Sequence, residues 1–175
     1  MVDGDKRKAE ILEALQQADK PISATRFAKE FGVSRQIVVG DVALLRAAGE
    51  TIIATARGYL LERESEKLIS KIAVQHGPEQ TEEELRTIIE KGGEVIDVVV
   101  EHPLYGELVG GLHLMTQQDV DSFIKETSGL RATLLSELTG GIHLHTIAYE
   151  TLDDLAEIKQ ALSEKGILYE EKHHS

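Results

Sequence analysis

In the first sixty positions, apolar residues recur at helical spacing in three successive stretches. The first covers residues 6–18, the second covers 23–32, and the third covers 34–49, with serine caps before the last two and glycines after them. Two short β-prone runs follow between residues 51 and 61. Three helices before a hairpin predict a winged helix-turn-helix domain over residues 1–64. The apolar face of the third helix is predicted to consist of Ile37, Val38, Val42, Leu44 and Leu45.

A nearly continuous run of charged residues at 62–67 predicts a linker, and strands then alternate with single helices. Thr81 and Glu84 have the spacing of a capping box at the start of one of these helices. Strands are expected at 71–76, 95–101, 107–114, 142–149 and 167–169, and helices at 81–91, from 116 to about 127, and at 152–165. Residues 65–175 should therefore form an open α/β sandwich, with helices on one face of a mixed or antiparallel sheet. The whole chain is of the α+β class.

Charge is distributed unevenly between the two halves. The net charge is 19 − 31 = −12, but residues 1–64 carry ten basic and ten acidic side chains, so the excess negative charge lies in the second half. DNA repels an acidic protein, whereas a neutral domain can approach it. The sequence has no cysteine, no long apolar run and no signal peptide, which predicts a cytoplasmic protein without membrane spans or disulfides.

The helix that begins after Ser34 has the residue types of a DNA-reading helix. Arg35 can make paired hydrogen bonds to guanine and Gln36 to adenine, while Ser34 suits a phosphate. Arg46 and the wing residue Arg57 are candidates for flanking phosphate contacts. The helix carries little positive charge, so binding to double-stranded operator DNA should need a homodimer on two half-sites. The alternative is a helix-turn-helix that makes only protein contacts.

The stretch from Ile22 to Gly49 resembles the helix-turn-helix of the biotin-repressor type over the whole motif. In helix-turn-helix proteins the second helix of the motif enters the major groove, and here that helix is the third of the chain.

His143 and His145 are two residues apart on a predicted strand, so their side chains project from the same face, about 7 Å apart. His76 ends another predicted strand, and Glu84 lies in the first turn of the next helix. Three histidines and one carboxylate would suit nickel, zinc or iron. The alternatives are hydrogen-bonded surface histidines and, for Glu84, a role in capping alone.

The apolar residues that alternate with His143 and His145 complete this interpretation of the strand. Ile142 and Leu144 point to the opposite face, which is expected to pack under the helices and to leave the histidine face free to line a site.

Residues 70–170 resemble the three-histidine (3H) domain of niacin-responsive transcriptional repressors in the segments Ala73–Gly77, Glu101–Glu107 and Leu138–His145. The resemblance implies nicotinic acid as co-repressor, a divalent metal in the sensor domain, and control of genes for NAD synthesis or niacin uptake. The family's metal-binding histidines match His76, His143 and His145, and its carboxylate falls on Glu84, with Glu82 and Glu83 beside it.

Nicotinate is expected to bind near this metal. Its carboxylate would be held by backbone amides of Thr139, Gly140 and Gly141, and His102 and Tyr105 would line the site. Two other interpretations remain: a metal-responsive regulator in which the ion itself is the effector, and a metal-dependent enzyme. Because no general base is evident beyond the proposed ligands, and because a DNA-binding unit suits sensing, the chain is predicted not to be an enzyme.

Overall fold

The computed structural model of the protein describes residues 3–63, 65–130 and 141–170. The chain divides into two compact units, Met1–Ser65 and Glu66–Ser175. The first unit is three helices and a hairpin, and the second is an antiparallel sheet with helices. The predicted α+β class is therefore confirmed.

The N-terminal unit has the elements that the sequence predicts. The structure contains α1 (Gly4–Gln17), α2 (Ala24–Phe31), α3 (Arg35–Ala47), β1 (Ile52–Thr55) and β2 (Gly58–Leu61). The hydroxyl of Ser23 accepts a hydrogen bond from the amide of Arg26 at the start of α2, and that of Ser34 accepts one from the amide of Ile37 at the start of α3. Gly32 ends α2 in a left-handed conformation, φ 67°, which glycine adopts without steric cost.

The face of α3 that contacts the core differs from the predicted one. Val38 and Val42 are buried, but Ile37 and Leu44 are 44% and 58% exposed. In their place the core side of α3 carries Asp41, whose carboxylate accepts two hydrogen bonds from the guanidinium of Arg7 on α1. The prediction was wrong for Ile37 and Leu44, which it placed on the core face with Val38, Val42 and Leu45. Apolar spacing alone does not show that a paired carboxylate can occupy a buried helix position.

The hairpin of β1 and β2 is tied to the segment before α2. Ile22 and Tyr59 form an antiparallel bridge with N···O distances of 2.8 and 3.0 Å. Gly58 has φ 134°, and a Cβ at this position would lie 2.5 Å from the backbone carbon of Ile22. The hairpin can approach Ile22 this closely only because residue 58 has no side chain.

The C-terminal unit is a four-stranded sheet in the order β3-β6-β4-β5, with every neighbouring pair antiparallel. Its core joins apolar side chains of the strands to those of the three helices that the structure describes in this unit, which pack on one face. The elements are β3 (Leu68–Gln75), a 3-10 turn (Pro78–Gln80), α4 (Thr81–Glu90), β4 (Glu94–His102), β5 (Gly106–Leu114), α5 (Gln117–Leu130), β6 (Ile142–Tyr149) and α6 (Leu152–Glu164). The strand predicted at 167–169 is a single bridge from Leu168 to Val74. None of the described helices has the length and apolarity needed to cross a membrane.

The orientation of β6 is opposite to the predicted one. His143 and His145 lie on the buried face with Ile147, while Ile142 is 39% exposed on the other side and Leu144 is half-buried. The prediction assumed that apolar residues take the helix-covered face. Histidines can take it here because a buried carboxylate and backbone carbonyls satisfy their ring nitrogens.

Candidate metal centre and DNA-binding surface

Three separated segments bring the predicted ligands together. His76 directly follows β3, Glu84 lies in the first turn of α4, and His143 and His145 lie on β6. The pairing of β3 with β6 sets His143 opposite Val74, two residues before His76. Antiparallel pairing therefore places the end of one strand beside the start of the other, and α4 covers both.

The three imidazole rings surround the carboxylate of Glu84. His76 Nε2 contacts Oε2, His145 Nε2 contacts Oε1, and His143 Nε2 lies 3.4 Å from Oε2. The ring of His143 is edge-to-face with those of His76 and His145, with centroids 4.8 Å apart in both cases. None of the four residues is more than 6% exposed. All four side chains thus converge on one buried point.

The backbone sets the orientation of each ring. The Nδ1 atoms of His76, His143 and His145 lie 2.7, 2.9 and 2.8 Å from the carbonyl oxygens of Gly77, Gly141 and Asp97. A carbonyl only accepts hydrogen bonds, so each Nδ1 carries the proton and donates it. In the neutral ring, Nε2 is then left with its lone pair facing Glu84. This is the tautomer that a metal ligand requires, held by the kind of outer hydrogen bond that metal sites use.

The charged form of the buried Glu84 carboxylate depends on positive charge beside it. Burial disfavours the charged forms of His76 and His145, but hydrogen bonds and the charge of Glu84 outweigh burial and raise the pKa of both imidazoles. Burial also disfavours the Glu84 carboxylate, yet the charge of His145 and hydrogen bonds from all three imidazoles hold its pKa well below the usual range. The cluster therefore retains an anion that needs either protons or a cation beside it.

A divalent cation fits this arrangement. His76 Nε2 and Glu84 Oε2 are buried and, apart from the imidazole–carboxylate contacts of the cluster itself, have no hydrogen-bond partner among the described residues. Ligand atoms of His76, Glu84 and His143 all lie within 4.8 Å of one another, and His145 contacts the second carboxylate oxygen. A mixed set of imidazole nitrogens and carboxylate oxygens suits nickel, zinc or iron.

The capping box predicted from Thr81 and Glu84 does not form. Gln80 precedes α4 and no side chain caps its first turn; the carboxylate of Glu84 instead turns inward and is 1% exposed. Its neighbours point outward, since the side chains of Glu82 and Glu83 are 52% and 48% exposed and pair with Arg86 and Lys165. Among the three consecutive glutamates, the geometry selects Glu84.

Sequence reasoning missed the residues that support the histidines. Gly141, predicted as an effector contact, accepts hydrogen bonds from the His143 ring and from the amide of His76. It has φ 94°, and a Cβ there would lie 2.4 Å from the carbonyl oxygen of His76. The signal was the glycine pair before Ile142, since paired glycines mark positions of close backbone approach.

The other predicted effector residues lie in the turn between β4 and β5 or outside the described chain. His102 Nδ1 accepts hydrogen bonds from the amides of Leu104 and Tyr105, whose side chains are 76% and 68% exposed. Because β4 runs antiparallel to β6, this turn lies at the end of the sheet where β6 begins. Thr139 and Gly140 fall outside the described residues.

The predicted DNA contacts lie at the surface of the N-terminal unit. Ser34, Arg35 and Gln36 are exposed at the start of α3, and Arg46 is exposed in its last turn. Arg57 lies in the two-residue turn between β1 and β2 and is half-buried. The helix and the tip of the hairpin therefore have the placement expected of a reading helix and its wing.

Comparison with known proteins agrees with this organisation. Residues 7–60 match the model of an HTH domain, and residues 69–171 match the model of the 3H domain. The chain is 38% identical over 165 residues to a probable transcription repressor, NiaR, of Thermotoga maritima. It is 39% identical over 172 residues to the transcription repressor NadR of Bacillus subtilis. Each match covers 94% of both chains.

These relatives confirm the prediction of a repressor rather than an enzyme. Both carry the name of a transcription repressor and match the chain through both of its units. The chain therefore belongs to the family of transcription repressors that join an N-terminal helix-turn-helix to a 3H domain.

Proposed function

We propose that the protein is a metal-dependent repressor that uses nicotinic acid as co-repressor and controls genes of NAD synthesis or niacin uptake. It acts as a homodimer on double-stranded operator DNA in the cytoplasm, where that DNA lies. The single observation that carries the sensor part of this proposal is the buried convergence of His76, His143 and His145 on Glu84. The identity of the organic effector rests on the resemblance to niacin-responsive repressors.

The chain's own residues would hold one nickel, zinc or iron ion at this point. His76, His143 and His145 offer Nε2 lone pairs, because their Nδ1 atoms donate to backbone carbonyls, and Glu84 supplies the negative charge. A bound cation would supply a Lewis-acidic centre for a pyridine nitrogen or a carboxylate. The residues 139–141, together with His102 and Tyr105, are the proposed surroundings of nicotinate.

On the DNA side, Ser34, Arg35 and Gln36 are proposed to meet the operator from the exposed start of α3. Arg46 and Arg57 would contact flanking phosphates. A homodimer doubles these contacts and so offsets the low charge of a single reading helix.

A second candidate function is a regulator whose effector is the metal ion itself. The observation in its favour is the burial of the cluster, since the side chains of all four ligands are between 1% and 4% exposed. A site so closed suits a bare ion without an organic ligand. In this case DNA binding would respond to metal supply alone.

One titration separates these functions. The duplex is first selected from a randomised library by the full chain in the presence of both metal and nicotinate. Binding of the chain stripped of metal with EDTA is then measured on this duplex, first alone, then with NiCl2, ZnCl2 or FeSO4, and then with nicotinate. Nicotinamide, which lacks the carboxylate, is the control ligand. Our proposal expects tighter binding only with metal and nicotinate together. Full effect from metal alone supports the ion-effector function, and no effect of either overturns both.

A further inference from the structure

Gly40 lies in the interior of α3, where its presence has no explanation within the N-terminal unit. It is exposed, its φ lies outside the range that favours glycine, and a Cβ placed on it would have no atom within 4 Å. Neither backbone conformation nor packing requires a glycine there, and glycine makes a helix interior less stable than alanine does. The missing side chain therefore suggests the approach of something outside the unit.

The surroundings of Gly40 form a defined surface on α3. At 100° per residue, Gln36, Gly40, Ala43 and Ala47 follow one another along the side opposite the buried Val38 and Val42. The side chains of this row are small beyond Gln36, so the helix backbone is accessible along it. The rows on either side carry the exposed apolar residues Ile37 and Leu44 and the exposed basic residues Arg35 and Arg46.

This surface has the chemistry of a major-groove contact. Small residues let the backbone of a reading helix approach the groove floor, and branched apolar side chains contact the C5-methyl groups of thymine. The two arginines beside the row can meet phosphates on the walls of the groove. The buried carboxylate of Asp41 does not repel them at the surface, because it is paired with Arg7. A helix of a second protein molecule could also use small residues, but it would not need the arginines.

We infer that Gly40 determines operator specificity by letting α3 sit deep in the major groove, where Ile37 contacts thymine methyl groups. Recognition of the operator sequence then depends largely on shape and on apolar contacts, while Arg35 and Gln36 make the polar contacts to bases. This inference rests on the proposed DNA-binding function and adds to it the chemistry of the sequence that is read: a half-site with thymine beside the bases read by Arg35 and Gln36.

The test compares Gly40→Ala and Gly40→Leu with the wild-type full chain on the duplex that the wild type selects from a randomised library, with metal and nicotinate present throughout. Alanine should weaken specific binding roughly tenfold, and leucine should abolish it, while binding to an unrelated duplex stays unchanged. The midpoint of thermal unfolding should stay the same or rise for Gly40→Ala, because alanine favours the helix. Gly4→Ala, at a helical glycine of α1, is the matched control and should retain wild-type affinity.

A second measurement tests the apolar contact. Replacing thymine by deoxyuridine at each half-site position in turn removes one methyl group, and at least one replacement should weaken wild-type binding about threefold or more. The same replacement should have no further effect on Ile37→Ala. If the wild type selects no sequence, the repressor proposal fails and this inference with it. If it selects one but Gly40→Ala binds equally well, or changes only the oligomeric state in sedimentation, the inference alone is overturned.

Discussion

Replacing Glu84 by glutamine changes the candidate metal centre with almost no change of shape. Glutamine has the volume of glutamate but no charge, and its amide nitrogen would face the imidazoles where a carboxylate oxygen now lies. Glu84 is 1% exposed and contacts all three rings, so no solvent compensates for the loss. A structural divalent ion is held with roughly 10–16 kcal/mol at neutral pH, or about 3 kcal/mol for each of four ligands.

Loss of about 3 kcal/mol of metal-binding free energy corresponds to a metal Kd weaker by about two orders of magnitude. With metal at about a thousand times the wild-type Kd, the wild type gains about 4 kcal/mol of folding stability and Glu84→Gln about 1.4 kcal/mol. For the C-terminal unit, that difference lowers the unfolding midpoint of the metal-loaded variant by roughly 10 °C or more. Both quantities are measurable, by calorimetric titration with ZnCl2 or NiCl2 and by thermal unfolding with and without metal.

The matched control is Glu83→Gln, one residue earlier on the same helix. The Glu83 side chain is 48% exposed and pairs at 3.3 Å with Lys165, so its replacement should leave metal affinity unchanged. Two results would refute the reasoning: wild-type metal affinity in Glu84→Gln, or an equal loss in both variants.

The other predictions concern protons, the backbone around the site and DNA. Because the pKa values of His76 and His145 are raised above 6.5, metal affinity in titrations across pH should fall as pH decreases through the raised values, as protons replace the ion. Gly141→Ala should destabilise the fold by about 1–3 kcal/mol or more in denaturant unfolding and weaken metal binding, whereas Gly106→Ala, with φ 78° and open space around it, should cost only the strain. Arg46→Ala should weaken binding to all duplexes alike. The slope of the logarithm of the DNA-binding constant against the logarithm of salt concentration should decrease in magnitude by about 1.

The metal-free protein should show the opposite pH trend. A raised histidine pKa contributes stability that is complete below the unfolded value of 6.5 and is lost as pH rises through the folded value. The lowered pKa of Glu84 contributes stability above about 4.5 that is lost as pH falls. If metal-free and metal-loaded protein show parallel pH profiles, the cluster does not bind the ion. If Gly106→Ala weakens metal binding as much as Gly141→Ala does, the close approach of residue 141 to His76 is not the cause of the weaker binding in Gly141→Ala.

Much of this molecule could be predicted from the sequence because local signals dominate in it. Serine caps, glycine stops and helical periodicity set the helices of the N-terminal unit. On the strand, the two-residue spacing of His143 and His145 was sufficient to place them on one face. The proposed ligand set followed from this spacing and from family resemblance, and the structure brings all four residues together.

The remaining features depend on contacts distant in sequence. No local pattern tells whether Glu84 caps its helix or turns inward, since both use the same helix position. The support of His145 depends on an irregularity in pairing: Val95 pairs with Leu114 but Asp97 with Gly111, and His113 has φ 50°. The Asp97 carbonyl at this bulge accepts the Nδ1 proton of His145. The position of a bulge depends on how two strands pair, and the sequence of either strand alone does not determine this pairing.

The bridge between Ile22 and Tyr59 has a mechanical consequence for regulation. It ties the hairpin to the start of α2, and the salt bridge from Arg7 to Asp41 ties α1 to α3, so these elements of the N-terminal unit are cross-linked to one another. Under the proposed function, an effector is then not expected to change the DNA-binding surface within this unit. In the proposed homodimer, an effector would then change repression by shifting the whole N-terminal unit, and the spacing of operator half-sites would set the response.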